Sequence, residues 1–303
     1  MKATPDEELV SWTEVQDIEL VIVRRMREYM TGAHRSVFHG GGFDFVGLRD
    51  WQPGDRLSSI DWSQSTLTNF SPLITREFEQ QSTARVIVVA DTSLSTRCGV
   101  GGVSIATMIA RAVATLALAG AYFQDQVGLI TFDGRSQQIR VRPGVGKNHA
   151  VHCLDAYQDL VLGRAGQELN GADATLAGML RKTSMVPVVS DFLFEDYERL
   201  LDELLELNAT HDVFVLLIDS RHAFELPSIS AGWIEGCDVE TGQSRLISLN
   251  DMQQLGARVA TWQDTVEVAA TDRGLEVLRL GADSERFHQR MVEFLADRRV
   301  RKQ

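Results

Sequence analysis

The sequence predicts an α/β protein with a doubly wound, mostly parallel sheet, Rossmann-like in pattern, together with a small β-rich accessory element. Two observations predict this class. From Thr83 onward, short apolar runs of strand length alternate with amphipathic stretches of helical length. These runs are apolar at consecutive positions, as expected for parallel strands that helices cover on both faces. Before Thr83 the alternation is absent, and turn signals separate shorter strand-like patterns.

This pattern divides the chain into four segments. Residues 1–82 contain an N-terminal helix near 12–31 and the accessory element, and residues 83–222 form the α/β core. Residues 223–250 contain a predicted β-hairpin, which we expect to join the accessory element. Residues 251–303 complete the core. The predicted core elements are strand 85–91, helix 104–122, strand 126–132, strand 138–142, helix 148–161, helix 175–182, strand 185–190, helix 195–208, strand 213–219, helix 250–270, strand 275–280 and helix 284–298.

Composition excludes some partners. The chain has 303 residues and a formal net charge of −12, which disfavours a nucleic-acid partner because the phosphate backbone repels an acidic surface. The three cysteines are odd in number and far apart, as expected for free thiols in a reducing compartment. The acidic start MKATPDEELV lacks the apolar core of a signal peptide. We therefore expect a cytoplasmic protein.

Two further stretches bear on location and surface. Val103–Phe123 carries one charge, Arg111, and is long enough to span a membrane. It follows a strand and a Gly-rich loop directly, so we interpret it as a helix buried against the sheet and expect no direct membrane insertion. The basic cluster Arg298–Lys302 is interpreted as a solvated helix end.

The first motif with chemical content follows the predicted strand 85–91. The strand ends at Asp91, and Ser93 and Ser95 complete the pattern D-x-S-x-S. In open α/β sheets, ligands bind beyond the carboxyl ends of the strands. A carboxylate and two hydroxyls are hard oxygen donors of the kind that Mg²⁺ prefers. The same residue types also cap helices, so this spacing alone leaves both interpretations open.

A second strand favours the metal interpretation. Met185–Ser190 ends in the sequence Ser190-Asp191-Phe192. If this strand lies beside 85–91, Asp191 reaches the same edge of the sheet as Asp91. Two carboxylates and two hydroxyls, completed by water, make a plausible octahedral site for Mg²⁺ or Mn²⁺.

These motifs resemble the metal-ion-dependent adhesion site of von Willebrand factor A-type domains. The segment LRDWQPGDRLSSIDW, with HRSVFHGGGFDF before it and the hairpin around DVETGQ after it, is similar to one branch, the domain-of-unknown-function family 58. That family is commonly encoded beside MoxR-type AAA+ ATPases. The resemblance covers the chain from about residue 10 to the C-terminus.

The resemblance implies roles for particular residues. Asp91, Ser93 and Ser95 would be direct or near-direct metal ligands, and Asp191 would act directly or through water. A-type domains usually add a threonine from an intervening loop. Here that stretch contains Asp173-Ala174-Thr175-Leu176, where related sequences tend to show G-T-D-L. Whether Thr175, Asp173 or neither contributes stays open.

The implied function is recognition without catalysis. A metal with an open coordination position accepts an acidic side chain from a partner protein, so we expect an adaptor that works with a MoxR-type AAA+ ATPase on client proteins. One alternative is a Mg²⁺-dependent phosphatase in which Asp91 is the nucleophile. That chemistry requires a second acid where Ser93 stands and a lysine, for which the core offers only Lys147 and Lys182. The other alternative is a metal-independent interaction domain with a vestigial site.

Overall fold

A computed structural model describes residues 8–31, 44–52, 60–79, 84–100, 102–133, 137–164, 176–180, 182–224, 233–237 and 244–301. Short 3₁₀ turns lie at Leu94–Arg97 and Ser220–Ala223. In chain order the helices and strands are α1 (Trp12–Thr31), β1 (Asp44–Asp50), α2 (Trp62–Leu67), β2 (Ile74–Glu79), β3 (Arg85–Asp91), β4 (Gly99–Val100), β5 (Val103–Ser104), α3 (Ile105–Tyr122), β6 (Gln126–Phe132), β7 (Gln137–Gly144), α4 (Lys147–Val161), α5 (Leu176–Met179), β8 (Met185–Ser190), α6 (Tyr197–Asn208), β9 (Asp212–Ile218), β10 (Trp233–Cys237), β11 (Ser244–Ser248), α7 (Leu249–Asp272), β12 (Glu276–Leu280) and α8 (Ser284–Arg301).

Six strands form the central sheet, in the order β12-β9-β8-β3-β6-β7. Neighbouring strands are parallel except for β7, which pairs antiparallel with β6 at one edge. Counted along the chain, the sheet order starting from β7 is 3-2-1-4-5-6, which is the doubly wound arrangement. The predicted α/β class with a mostly parallel sheet is therefore confirmed.

The central strands are buried because helices cover them. In β3, every residue after Arg85 is buried, and β6, β8 and β9 are likewise buried after their first residue. Helix α3 begins at a capping box between Ser104 and Thr107 and lies in the core, in contact with β3, β6, α4 and α8. Gly120 of α3 faces β6 so closely that a Cβ would lie 2.5 Å from Cγ2 of Val127. Glycine at this position permits the close approach of helix and strand.

Helix α3 corresponds to the stretch that has the length of a membrane span. Its 18-residue window has a mean hydropathy of 1.5, so length and composition alone would allow it to cross a membrane. In this fold 83% of that window is buried inside the protein. The helix serves as a core helix, as expected from its position after a strand.

The chain divides into two compact units, residues 1–28 with 84–303, and residues 29–83. In the smaller unit, β1 pairs antiparallel with β2, and Asp61 caps α2 by accepting a hydrogen bond from the Gln64 amide. Most of α1 belongs to the larger unit, whereas the predicted segment 1–82 grouped it with the accessory element. The reason is burial: the apolar face of α1 is in the core, and Glu14 pairs with Arg111 of α3.

The hairpin predicted within 223–250 forms from β10 and β11. Among the described residues its strands pair only with each other, and they belong to the larger unit. The chain passes directly from β11 into α7, whose N-cap is Ser248. The helix predicted at 175–182 is limited to the short α5 in the described part of the chain.

The prediction that the basic cluster Arg298–Lys302 is solvated is wrong for Arg298. Its side chain is only 4% exposed. The guanidinium forms ion pairs with Asp212 and Glu276, donates to the Val213 carbonyl, and lies 4.5 Å from the ring centre of Phe214. The sequence does not reveal this role because helix periodicity in a basic run cannot identify the one arginine that faces two acidic strand starts.

Candidate metal site

The candidate site lies at the topological switch point of the sheet. Strands β3 and β8 are parallel neighbours, and the strand order reverses between them. Asp91 ends β3, and Asp191 directly follows β8, so the sheet brings both carboxyl groups to one edge. A crevice at this position is where open α/β sheets bind ligands.

Asp91 is fully buried and held from three sides. Its Oδ1 accepts a hydrogen bond from the Ser93 amide at 2.7 Å, and its Oδ2 accepts one from the Ser190 hydroxyl at 2.5 Å. The carbonyl of Asp91 accepts a bond of 2.9 Å from the Tyr157 hydroxyl on α4. These contacts fix both the carboxyl group and the backbone at the end of β3.

The two serine hydroxyls connect the carboxyl groups. Ser93 Oγ lies 3.0 Å from Ser95 Oγ, and Ser95 Oγ donates to Asp191 Oδ1 at 3.3 Å. The same Asp191 oxygen accepts a bond of 3.1 Å from the Leu193 amide. The structure thus places all four predicted residues, Asp91, Ser93, Ser95 and Asp191, in one connected cluster of oxygen atoms.

One atom of this cluster has no hydrogen-bond partner among the described residues. Asp191 Oδ2 is buried and accepts no hydrogen bond. Burial and the nearby charge of Asp91 raise the pKa of Asp191 to about 7. Burial also raises the pKa of Asp91, despite the hydrogen bonds that oppose this change. Among the described residues, no basic group contributes to the pKa of either carboxyl group. Two buried carboxyl groups facing each other are electrostatically unfavourable, and a cation between them would remove that cost.

The donor set therefore fits a hard divalent cation. Two carboxyl groups and two hydroxyls supply oxygen ligands of the kind that Mg²⁺ and Mn²⁺ prefer. Within the described residues, His, Cys, Asp and Glu form no group of three or more that would hold a metal.

The segment with Asp173 and Thr175 lies outside the described residues, so the structure places neither side chain. The residue that follows is described. Leu176 is buried, and its amide donates a bond of 2.9 Å to Glu203 of α6. That bond fixes the backbone at Leu176, the residue immediately after Thr175.

Several residues that hold the site were missed by sequence reasoning. Tyr157 lies on a helix where amphipathic spacing indicates only burial. Ser190 belongs to the quoted Ser-Asp-Phe motif, but its bond to Asp91 depends on strands β3 and β8 being adjacent. On α7, Gln263 donates to the Asp191 carbonyl and Trp262 to the Phe192 carbonyl. No local signal identifies such contacts because they join positions about 70 residues apart.

Tyr157→Phe is expected to destabilise the fold by about 1–2 kcal/mol, because it leaves the buried carbonyl of Asp91 without its donor. Urea unfolding of wild type and variant measures the difference. Since the ring is retained, no cavity contributes to the loss. An unchanged free energy of unfolding would show that water replaces the hydroxyl and that Asp91 is not held by α4.

The lysines required by the phosphatase alternative lie away from Asp91. Lys147 begins α4 and pairs with Glu19 of α1. Lys182 is exposed and precedes the amino end of β8, opposite to the end that bears Asp191. Both Asp91 oxygens already accept hydrogen bonds, and the carboxyl group is buried. In the described part of the chain, no lysine is placed to stabilise a phosphoryl group at this carboxylate.

A doubly wound, mostly parallel α/β sheet carries this group of residues, in keeping with the predicted von Willebrand factor A-like class. The family model described as protein of unknown function DUF58 matches residues 47–265, and the chain belongs to that family. A relative is the uncharacterized protein Rv1480 of Mycobacterium tuberculosis, strain H37Rv. It is 23% identical over 288 residues, which cover 94% of this chain and 89% of that protein.

Two solved structures with low sequence identity also match. An aerotolerance-related membrane protein from Bacteroides fragilis is 15% identical, with a TM-score of 0.42 over 71% of this chain and 99% of that one. The SpRpn10 VWA domain is 9% identical, with a TM-score of 0.32 over 70% of this chain and 95% of that one.

The cytoplasmic location expected from the sequence is corrected by these matches. One of them is described as a membrane protein, which points away from a cytoplasmic assignment. The expectation was wrong because it rested on cysteine spacing and on the character of the first residues, and neither property determines where a protein works.

Proposed function

We propose that this chain is a metal-dependent protein-interaction domain that binds an acidic side chain of a partner through a divalent cation at Asp91, Ser93, Ser95 and Asp191. Membership of DUF58 and the von Willebrand factor A-like fold support an interaction domain.

The observation that carries the proposal is the unpartnered oxygen of Asp191. A buried carboxylate oxygen without a donor is costly unless something occupies the space beside it. Asp91 places a second carboxyl group opposite this oxygen. A further negative group beside Asp191 Oδ2 would therefore be repelled, whereas a cation would be attracted. When bound, Mg²⁺ or Mn²⁺ would supply a positive centre at the sheet edge, and the protein's four residues would hold it.

Charge determines what such a centre recognises. A divalent cation between two carboxylates is roughly neutral, and it stays a net cation if one of them keeps its proton. Either state accepts a further hard anionic ligand, as a carboxylate of a partner protein would be. Truncating the side chain that makes such a contact at the centre of an interface weakens binding strongly, while the surrounding surface supplies the rest of the affinity.

The proposed partner is a MoxR-type AAA+ ATPase, with the chain presenting client proteins to it or coupling ATP-driven remodelling to them. The support for this partner is the resemblance carried by LRDWQPGDRLSSIDW. ATP hydrolysis then belongs to the partner, and this chain acts as a non-enzymatic adaptor. The metal-independent alternative shares the fold and differs in that Asp91 and Asp191 would be dispensable for binding.

Capture of a MoxR-type ATPase on immobilised protein tests the proposal. We expect capture in Mg²⁺ and its loss in EDTA, because the cation links the two proteins. Asp91→Asn should lose capture in Mg²⁺, while Asp17→Asn, which changes an exposed aspartate on α1, should keep it. Equal capture by all proteins with and without metal would establish the metal-independent alternative.

A further inference from the structure

The segment 190–193, here called the Asp191 turn, has an unusual backbone. Phe192 has a φ of +53°, although it is a bulky residue that rarely adopts the left-handed region. Its side chain is fully buried in the hydrophobic core. A strained residue of this kind persists only where its surroundings determine its conformation. It directly follows the candidate ligand Asp191.

Two consecutive residues of α7 hold this turn. Trp262 Nε1 donates to the Phe192 carbonyl at 2.8 Å, and Gln263 Nε2 donates to the Asp191 carbonyl at 2.9 Å. Within the turn, the Phe192 amide donates to Ser190 Oγ at 2.9 Å. The peptide groups on both sides of the strained residue Phe192 are therefore hydrogen-bonded.

Gln263 also connects the turn to the next strand end. It is fully buried, and its amide nitrogen lies within hydrogen-bond distance of the Ile218 carbonyl at 2.8 Å and of Ser220 Oγ at 3.1 Å. Its side-chain oxygen accepts a bond from the Ser220 amide at 3.1 Å. One side chain thus joins the ends of β8 and β9 to α7. The Trp262 ring packs edge to face on Tyr197, with 5.2 Å between ring centres, which fixes its orientation.

From this geometry we propose that Trp262 and Gln263 are positioning residues for the candidate metal site. They hold the Asp191 turn in its strained conformation, so that the Asp191 carboxyl group stays opposite Asp91, and they thereby set the affinity for the cation. The part concerning affinity rests on the proposed function. The part concerning the turn stands on the metal-free protein alone. Neither residue touches the cation in this proposal.

Trp262→Phe tests the proposal, because it keeps an aromatic ring and removes the N–H donor. The matched control is Trp12→Phe, which makes the same change at an exposed tryptophan on α1. Hydrogen exchange of the peptide that contains 190–193 is measured in EDTA, and Mn²⁺ affinity is measured by calorimetric titration. We expect faster exchange of the Phe192 and Leu193 amides and Mn²⁺ binding weaker by about tenfold in Trp262→Phe, with neither change in Trp12→Phe.

The two readouts separate the inference from the proposed function. If exchange in Trp262→Phe equals that of Trp12→Phe, Trp262 does not hold the turn and the inference is overturned. If exchange accelerates while Mn²⁺ affinity stays unchanged, the link to the cation is overturned. If the wild type binds no Mn²⁺ at millimolar concentration, the proposed metal function and the affinity part fail together, while exchange still decides whether α7 holds the turn. Gln263→Met, which removes the second donor at similar length, should accelerate the same amides.

Discussion

Replacing Asp191 by asparagine is expected to stabilise the metal-free protein at pH 8, by on the order of 3 kcal/mol, while abolishing its response to metal. The amide oxygen can keep the bonds from Ser95 and Leu193, and the new amide nitrogen can occupy the position where Oδ2 now has no partner. The variant also removes one of two buried charges. Urea unfolding in EDTA at pH 8 measures this gain.

The pH dependence of the metal-free wild type follows from the same carboxyl group. Its folded pKa is about 7, above the value near 4 of an unfolded aspartate, so the folded state binds more protons in this window. The contribution of Asp191 to stability is fully present below pH 4 and is lost as pH rises through about 7. In Asp191→Asn this contribution to the pH dependence is absent.

Asp219 provides the matched control at the end of the neighbouring strand β9. Burial would raise its pKa, but hydrogen bonds from Arg221 and the charge of Arg279 outweigh burial and lower it. Asp219→Asn should therefore destabilise the protein at pH 8 by about 1–3 kcal/mol. If both asparagine variants lose stability equally, Asp191 is an ordinary structural carboxylate, and the metal interpretation of its unpartnered oxygen is wrong.

Arg298→Met is expected to lower the free energy of unfolding by about 2–4 kcal/mol. The change removes the cation that pairs with both Asp212 and Glu276 at the starts of β9 and β12. It also removes the donor to the Val213 carbonyl and the guanidinium over Phe214. Because the two acids are 19% and 35% exposed, water reduces the cost below that of a fully buried pair.

The control for Arg298 lies on the same helix. Arg286 is 82% exposed and pairs with Asp283 within its own turn, so Arg286→Met should change stability by less than about 0.5 kcal/mol. Adding Glu276→Gln to Arg298→Met should recover part of the loss, because it removes one of the two carboxylates that Arg298 neutralises. Equal effects at both arginines, measured by urea unfolding, would contradict a structural role of the Arg298 cluster.

The strands and the candidate ligands were predictable from sequence because each depends on local pattern. The apolar run Val86–Ala90 identifies a central strand, and Asp91 and Asp191 follow strands directly, so strand order alone brings them together. What holds them was not predictable. Tyr157, Trp262 and Gln263 act through single contacts across the fold, and neither periodicity nor spacing encodes a hydrogen bond between residues of different layers.

The same difference between local sequence pattern and contacts across the fold explains why the C-terminal basic cluster was misinterpreted. A run of basic residues at a helix end predicts solvent exposure on average. Arg298 departs from it because β9 and β12 both begin with an acidic residue beneath α8. That relation exists only once the two strands are paired in parallel register.

The most direct test of the central proposal is calorimetric titration of Mn²⁺ into the metal-free wild type and into Asp191→Asn at pH 6 and pH 8. We predict one site in the wild type, bound roughly tenfold more tightly at pH 8 because the ligand must lose its proton, and no binding in the variant. At a hundred times the Kd, the cation would add about 2.7 kcal/mol to wild-type stability. Absence of binding to the wild type at millimolar Mn²⁺, or equal binding by both proteins, would contradict a cation held between Asp91 and Asp191.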